Sequence, residues 1–223
     1  MTTFLNSSSG STVYLLRHGD TRIDAVKRYI GQTDVPLSET GRSQARWWKN
    51  EFAPFTFSRI ISSDLARTRE TAKIITEEMN ISVEFYPELR EINLGKWDGL
   101  PVDEVKLNFP VEYHKRGVDP VGFRPEAGES FSDLSGRVVP AFEKISRSAP
   151  GGNILVVGHA GVNRVILSYL LEMPLANLFR LEQDYACLNT ISYGNNGVRI
   201  LSMNRTPCML LEWYDTAPDE RRR

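Results

Sequence analysis

Two apolar runs end in histidine, and that repetition limits the possible folds more than any other feature of the chain. Residues 13–16 (Val-Tyr-Leu-Leu) lead into Arg17-His18-Gly19, and residues 154–157 (Ile-Leu-Val-Val) lead into Gly158-His159-Ala160-Gly161. A short apolar run without polar interruption is the pattern of a strand buried on both faces. The chain has only three histidines, so two of them closing such runs beside glycine is a pattern and not a consequence of composition. In an open parallel α/β sheet, ligands bind outside the carboxyl ends of the strands. Two strand-end histidines can then face each other across one site. With Arg17 beside the first, the natural guest is a phosphate, because guanidinium offers a planar fork of donors and imidazole can attack phosphorus.

The remaining periodicity agrees. Ser38 is placed to cap a helix whose buried face carries Ala45, Trp48 and Phe52. Residues 57–61 predict a second strand. Leu65, Thr68, Ala72, Ile75 and Met79 then form one helical stripe, and residues 81–85 predict a weaker strand. Ser130-Phe131-Ser132-Asp133 opens a helix in the manner of a capping box, with Phe131, Leu134, Val138, Phe142 and Ile145 on its stripe. Val162, Val165, Ile166, Tyr169 and Leu170 mark a helix after the second histidine run. Residues 188–193 and 198–203, separated by Gly194-Asn195-Asn196-Gly197, predict a hairpin. The expected fold is therefore α/β and doubly wound: a mostly parallel sheet flanked by helices, with an inserted lid segment and a C-terminal antiparallel hairpin. Residues 13–215 are expected to form a single domain. The lid is expected over about residues 100–128 as an irregular segment rich in Pro, Gly and aromatics. Residues 1–12 are expected to be an N-terminal arm, and residues 216–223, ending in three arginines, a flexible tail.

Composition narrows the function classes. A formal net charge of −1 gives no global field toward nucleic acid or membrane. No run approaches the ~18 apolar residues of a membrane span, and residues 1–12 lack the basic-then-apolar pattern of a secretory signal. Cys187 and Cys208 are too few for a disulfide framework and lack metal-ligand spacing. The expected setting is cytoplasmic. The expected partner is a small phosphomonoester, not nucleic acid or membrane, with a homodimer left open.

Arg17-His18-Gly19 matches the motif of the histidine phosphatase superfamily, the phosphoglycerate-mutase-like enzymes. Three more elements match in order. The segment Ser62-Ser63-Asp64-Leu65-Ala66-Arg67 resembles the family's second-arginine segment and puts Arg67 on its arginine. Leu89-Arg90-Glu91-Ile92-Asn93-Leu94-Gly95-Lys96-Trp97-Asp98-Gly99 resembles its acid segment, with Glu91 on the proton donor. Gly158-His159-Ala160-Gly161 resembles its second-histidine segment. The resemblance runs from about residue 13 to 203, nearly the whole chain. It implies catalytic roles for His18, Glu91 and His159, and phosphate binding by Arg17, Arg67 and His159.

The chemistry can be read from the residue types as well. His18 needs a neutral ring, one nitrogen aimed at phosphorus and the other held by a hydrogen bond that fixes the tautomer. Arg17, Arg67 and His159 can hold the charge that spreads over the phosphoryl oxygens, with His159 a donor if protonated. Glu91 can give a proton to the departing oxygen and later take one from water, the neighbouring phosphate charge favouring its acid form. Gly19 is expected to let the chain turn tightly, so that the following amides face the anion. Thr21, Arg28 and Gly31 are candidate substrate contacts. No metal and no cofactor are expected. A lone strand-end histidine is more often a satisfied polar group, so the assignment rests on all four elements together. Arg69, two residues beyond Arg67, falls on another helical face and is expected at the surface. His114 is expected in a solvated loop, and Trp47 and Trp48 in packing.

One position departs from the family: Asp24 stands where many members have an asparagine that donates to the phosphate, and a carboxylate cannot. The branch is chosen on weaker cues. Residues 28–38 look like the corresponding stretch of α-ribazole phosphatases. The lid shows no proline run, and its Lys106, Lys115, Arg116 and Arg124 are offset by Asp103, Glu104, Glu112, Asp119 and Glu126. Phe109, Tyr113 and Phe123 suit an organic leaving group, and a highly anionic one is expected to be held poorly. The leading expectation is a metal-independent phosphomonoesterase working through a phosphohistidine, with α-ribazole 5′-phosphate as its sharpest form. A phosphoglycerate mutase is the alternative. An inactive phosphate-binding regulatory domain is the third reading, opposed by the presence of His18, Arg67, Glu91 and His159 together.

Overall fold

The computed structural model describes residues 10–22, 26–195 and 197–208. Asp24, most of the expected arm and the expected tail lie outside the described residues. Strand β1 (Ser11–Arg17) already includes two residues assigned to the arm, because Thr12 pairs with Asn153 on one side and Ser192 on the other. Helix α1 (Glu39–Phe52) starts at Ser38, whose Oγ accepts from Gly41 N at 3.1 Å. Strand β2 (Arg59–Ser62), helix α2 (Ala66–Thr76) and strand β3 (Val83–Phe85) follow. Met79, expected on the stripe of α2, lies half-buried beyond the helix end.

The lid is where the sequence reading fails. Residues 100–128 are not irregular: they contain helices α3 (Val102–Asn108) and α4 (Pro110–Val118). Both are too short for a 3.6-residue period to stand out. Their prolines, taken as signs of irregularity, sit at helix starts, Pro101 before α3 and Pro110 in the first turn of α4, where no backbone donor is lost. His114 is accordingly exposed on a helix and not in a loop.

Helix α5 (Phe131–Ser146) opens with a complete capping box between Ser130 and Asp133. Strand β4 (Asn153–Gly158), helix α6 (Ala160–Leu170) and the hairpin of β5 (Leu188–Gly194) and β6 (Gly197–Arg205) complete the order. The six strands lie in the order β3-β2-β4-β1-β5-β6. The first four run parallel, and β5 and β6 add antiparallel pairs.

Strand alternation divides the interior into two cores. Val13 and Leu15 of β1, with Ile154 and Val156 of β4, face Phe131, Leu134, Val138 and Phe142 of α5 and Val162, Val165 and Ile166 of α6. Leu16, Leu155 and Val157 face the other way, onto Trp48 and Phe52 of α1 and Ala72 and Ile75 of α2. Trp48 is buried and donates from Nε1 to Ala186 O at 2.7 Å, and Trp47 packs edge-on against it. Arg69 is exposed, its guanidinium over the Phe85 ring. With both faces covered, β1 and β4 are central, and the chain leaving each emerges at the same edge. The five residues of the α5 stripe are all buried, so Phe142→Ala should lower unfolding free energy by about 3–5 kcal/mol, measured by urea titration.

Candidate active site

The parallel strands deliver their ends side by side. The His18 backbone N–H donates to Gly158 O at 3.0 Å, and Ser63 N–H donates to Val157 O at 3.1 Å. This brings the residues after β1, β2 and β4 to one edge. His18 and His159 lie there with ring centroids 5.2 Å apart, both buried, joined by buried Arg67 and Glu91.

His18 Nδ1 lies 2.7 Å from Gly19 O. A carbonyl only accepts, so Nδ1 carries the proton and Nε2 keeps its lone pair. Burial, then Arg67 and Arg17, hold the His18 pKa well below 6.5. The ring is therefore neutral at physiological pH, with its tautomer set by the backbone.

His159 is the N-cap residue of α6. Burial, then Arg67, His18 and Arg17, also push its pKa well below 6.5. Its Nδ1 accepts from Arg67 Nε at 3.3 Å, so the neutral ring carries its proton on Nε2, 2.9 Å from Ser63 Oγ. A charged His159 is not the state of the free site. The donor it can offer an anion is the Nε2–H now resting on Ser63.

Arg67 is 1 % exposed. Besides His159, it donates through Nη1 to Thr33 O at 3.0 Å and through Nη2 to Gly31 O at 2.6 Å. Gly31, a candidate substrate contact, therefore presents its carbonyl to Arg67. Arg17 donates through Nη1 to Gln183 O at 2.7 Å and stacks its guanidinium 3.8 Å over the Tyr185 ring. Its Nε is buried with no hydrogen-bond partner among the described residues, a costly arrangement that an anion would relieve. Gln183 is itself fixed by a two-way amide pair with Asn189 at 2.8 and 2.9 Å and a bond from Asn163 Nδ2 at 3.1 Å, all buried. Nothing in the sequence patterns singled out Tyr185 or this amide cluster.

Glu91 accepts at Oε1 from Ile92 N and at Oε2 from Gly161 N, both at 2.9 Å, so the acid rests on the first turn of α6. Its own carbonyl is held by Arg137 of α5 at 2.9 Å, and the same guanidinium takes the carbonyls of Glu88 and Arg90 and the carboxylate of Glu129. Arg137 was invisible to sequence reasoning, since an arginine on the polar side of an amphipathic helix reads as solvated. Gly161 is the closest fit in the site: a Cβ there would lie 2.3 Å from Glu91 Oε1.

Gly19 is required for a different reason from the one expected. Its φ is not positive; a Cβ would instead lie 2.5 Å from Gly41 O, where α1 crosses. The nearby amides are also committed within the protein. Gly19 N donates to Thr71 Oγ1 at 3.2 Å and Asp20 N to Gln44 Oε1 at 2.9 Å.

A cavity of about 1000 Å³ lies beside this edge; it shares Arg17 with the site, while His18, Arg67, Glu91 and His159 do not line it. Thr21 and Arg28 line it, with Arg17, Arg22, Lys27, Arg164 and Tyr185, and Asp184 is its only carboxylate among the described residues. Arg22 is paired with Asp20 at 2.9 Å. No residue of the lid lines this cavity. Phe109 and Phe123 pack around Trp97 at 6.4 and 5.3 Å, Tyr113 joins the same core, and half-buried Arg116 lies over the Tyr29, Trp97 and Phe131 rings. The expectation that the lid's aromatics and mixed charges wall this opening is therefore corrected: among the described residues its walls carry Arg17, Arg22, Lys27, Arg28 and Arg164 against Asp184, and the lid packs elsewhere. Among the described residues no group of three or more His, Cys, Asp or Glu is placed to hold a metal, and no helix is long and apolar enough to cross a membrane.

Two measurements follow. Both buried histidines are neutral when folded but protonate near 6.5 when unfolded, so the unfolded chain binds more protons below that pH. Their contribution to stability should be complete above about pH 6.5 and decline as pH falls below it, seen as a falling Tm in melts from pH 7.5 to 5.0. Gly161→Ala should leave the fold intact while displacing the Glu91 carboxylate. With Glu91 in its expected role as proton donor, turnover of alkyl phosphates should fall by about 10²-fold, and that of p-nitrophenyl phosphate far less.

Comparison with known proteins places this geometry. The family model of the histidine phosphatase superfamily, branch 1, matches residues 13–206. A Yersinia pestis protein described as "Probable phosphoglycerate mutase GpmB" is 34% identical over 182 residues, covering 81% of this chain and 84% of that one. The crystal structure of an α-ribazole phosphatase from Shigella flexneri superposes with a TM-score of 0.81 at 25% identity, covering 87% of this chain and 96% of that one. A mycobacterial glucosyl-3-phosphoglycerate phosphatase gives a TM-score of 0.76 at 28% identity, covering 87% and 99%. Two buried histidines at adjacent strand ends, with a buried arginine and a buried carboxylate between them, are thus joined by a match over most of the length: the chain belongs to branch 1 of the histidine phosphatase superfamily, whose enzymes transfer phosphoryl groups as phosphatases or mutases.

Proposed function

We propose that the chain is a phosphomonoesterase working through a phosphohistidine, with a small phosphorylated metabolite as substrate. The observation that carries this reading is the bond from His18 Nδ1 to Gly19 O, which leaves Nε2 as the free lone pair. In the first step Nε2 attacks phosphorus in line, the P–N bond forms, and the ester P–O bond breaks. Glu91 delivers its proton to the departing alkoxide. The phosphorylated ring is cationic, and the Gly19 carbonyl stabilises it through the Nδ1–H. In the second step water attacks phosphorus, Glu91 takes its proton, and the P–N bond breaks to release inorganic phosphate and restore His18. Arg17, Arg67 and the Nε2–H of His159 hold the phosphoryl oxygens, supplying positive charge where the transition state spreads negative charge. These residues carry the reaction with no metal in any step.

An α-ribazole 5′-phosphate-like nucleotide is the first substrate to test, supported by the look of residues 28–38 and the likeness to the Shigella flexneri enzyme. A second reading, phosphoryl transfer between phosphoglycerates, is favoured by the basic mouth and by the 34%-identical relative. One assay separates them: a panel of phosphomonoesters, including 3-phosphoglycerate, with and without 2,3-bisphosphoglycerate and EDTA. We expect steady phosphate release that neither addition changes, and loss of several decades of rate in His18→Ala. Acid quench should trap an acid-labile phosphoryl group on the wild type alone. Efficient interconversion of 3- and 2-phosphoglycerate with little phosphate released would replace the phosphatase reading with the mutase one.

A further inference from the structure

We propose that Asp98 is a positioning residue that sets Arg67 and Glu91 together, acting through segment 31–34. The inference deepens the phosphoryl-transfer reading and rests on it for the roles of those two side chains.

The Asp98 carboxylate gathers three consecutive amides. Oδ1 accepts from Gly31 N at 2.9 Å, and Oδ2 accepts from Gln32 N at 2.7 Å and Thr33 N at 3.1 Å. Three N–H groups converging on one anion curl a segment into a nest. The acceptors of that segment then go to Arg67: the carbonyls of Gly31 and Thr33 are the two that bind its terminal nitrogens. The Gln32 side chain donates to Glu91 O at 3.1 Å, bracing the acid. Asp34 accepts from Ala66 N at 2.6 Å, at the start of the helix that carries Arg67. Three successive residues thus reach the phosphate arginine or the acid, the fourth holds the start of the arginine's helix, and one carboxylate keeps the first three in shape.

The contact is tightly fitted. A Cβ on Gly31 would lie 2.4 Å from Ile92 O and 3.0 Å from Asp98 Oδ2. The chain before the nest is held independently of Asp98, by Tyr29 N to Leu100 O at 2.9 Å and Gly99 N to Tyr29 O at 2.7 Å. Loss of the carboxylate should therefore loosen residues 31–33 without unfolding the domain. Asp98 also acts through charge. Burial lowers the Arg67 pKa, and Glu91, Asp34 and Asp98 oppose that loss.

Asp98→Asn tests the role. An amide presents a single acceptor oxygen, and its NH₂ faces backbone donors. Calorimetric titration with inorganic phosphate should show affinity reduced about tenfold in Asp98→Asn, with partial recovery in Asp98→Glu. In an Arg67→Ala background the same change should add less than about twofold, because the effect passes through Arg67. Gln32→Ala, which removes only the brace on Glu91, should leave phosphate affinity intact and slow alkyl phosphates more than p-nitrophenyl phosphate. A crystal structure of Asp98→Asn should show Arg67 released from at least one of the two carbonyls. Wild-type phosphate affinity in Asp98→Asn, an undiminished loss in the Arg67→Ala background, or an unmoved Arg67 would each overturn the proposal. A merely structural role would lower Tm and leave phosphate affinity of the folded variant unchanged. Should the wild type bind phosphate but fail to hydrolyse any ester, the reaction reading falls, while binding and crystallography still decide the role of Asp98.

Discussion

A guanidinium shut away from water must have its donors matched, and Arg67 imposes that demand on everything around it. It is nearly wholly buried, and an unpaired buried charge costs several kcal/mol, of order 3–5 when a partner is lost. Three of its five donors go to His159 Nδ1, Thr33 O and Gly31 O. Two of these acceptors are backbone carbonyls of a loop without regular ladder bonds, so the loop needs its own restraint, and Asp98 supplies it. The third acceptor is a histidine nitrogen, which forces the proton of that ring onto the other side. The shape of the loop and the tautomer of His159 both follow from burying one cation, and Gln32 of the same loop adds a brace to Glu91.

The same positive charge sets the resting state of both histidines. Arg67 and Arg17 oppose protonation of His18 and His159 on top of the cost of burial. The cations that would attract an anion on the proposed reading thus also keep both imidazoles unprotonated. Fixed cations do both jobs without any rearrangement, which is what makes preorganised electrostatics effective. The cost is visible at Arg17, whose Nε is buried without a partner among the described residues and whose face is spent on Tyr185.

Closeness of approach is the other recurrent device. Gly19 admits the backbone of α1, Gly161 admits the Glu91 carboxylate, and Gly31 admits the Ile92 carbonyl. None of the three has a positive φ, so none is there for a turn that other residues cannot make. Each is there because a methyl group would occupy space that a neighbouring element uses. Residues far apart in sequence meet at these points, which is why a motif search finds the glycines but misreads their purpose.

The strands, the parallel sheet with its terminal hairpin and the four motif elements were legible from the chain alone, because their signals are local. An apolar run of four residues reports burial on both faces, a stripe at 3.6 residues reports a helix, and Ser130 with Asp133 reports a start. His18, Arg67, Glu91 and His159 each follow a strand or begin an element, so placing the strands places them. Tertiary structure alone decided the rest. Helices α3 and α4 are too short to show a period, and their prolines imitate a loop. The charge of the mouth depends on which segments wall it. Counting charges along the lid was aimed at the wrong segment, because the lid packs its aromatics on Trp97 and, among the described residues, leaves the wall to Arg22, Lys27, Arg28 and Arg164 with others. Asp98, Arg137 and Tyr185 act across separations of 46 to 168 residues in sequence, on Thr33, Glu91 and Arg17 among others. A local pattern carries the identity of a residue and the element it sits on; what that residue touches is set only when the sheet brings its strand ends to one edge.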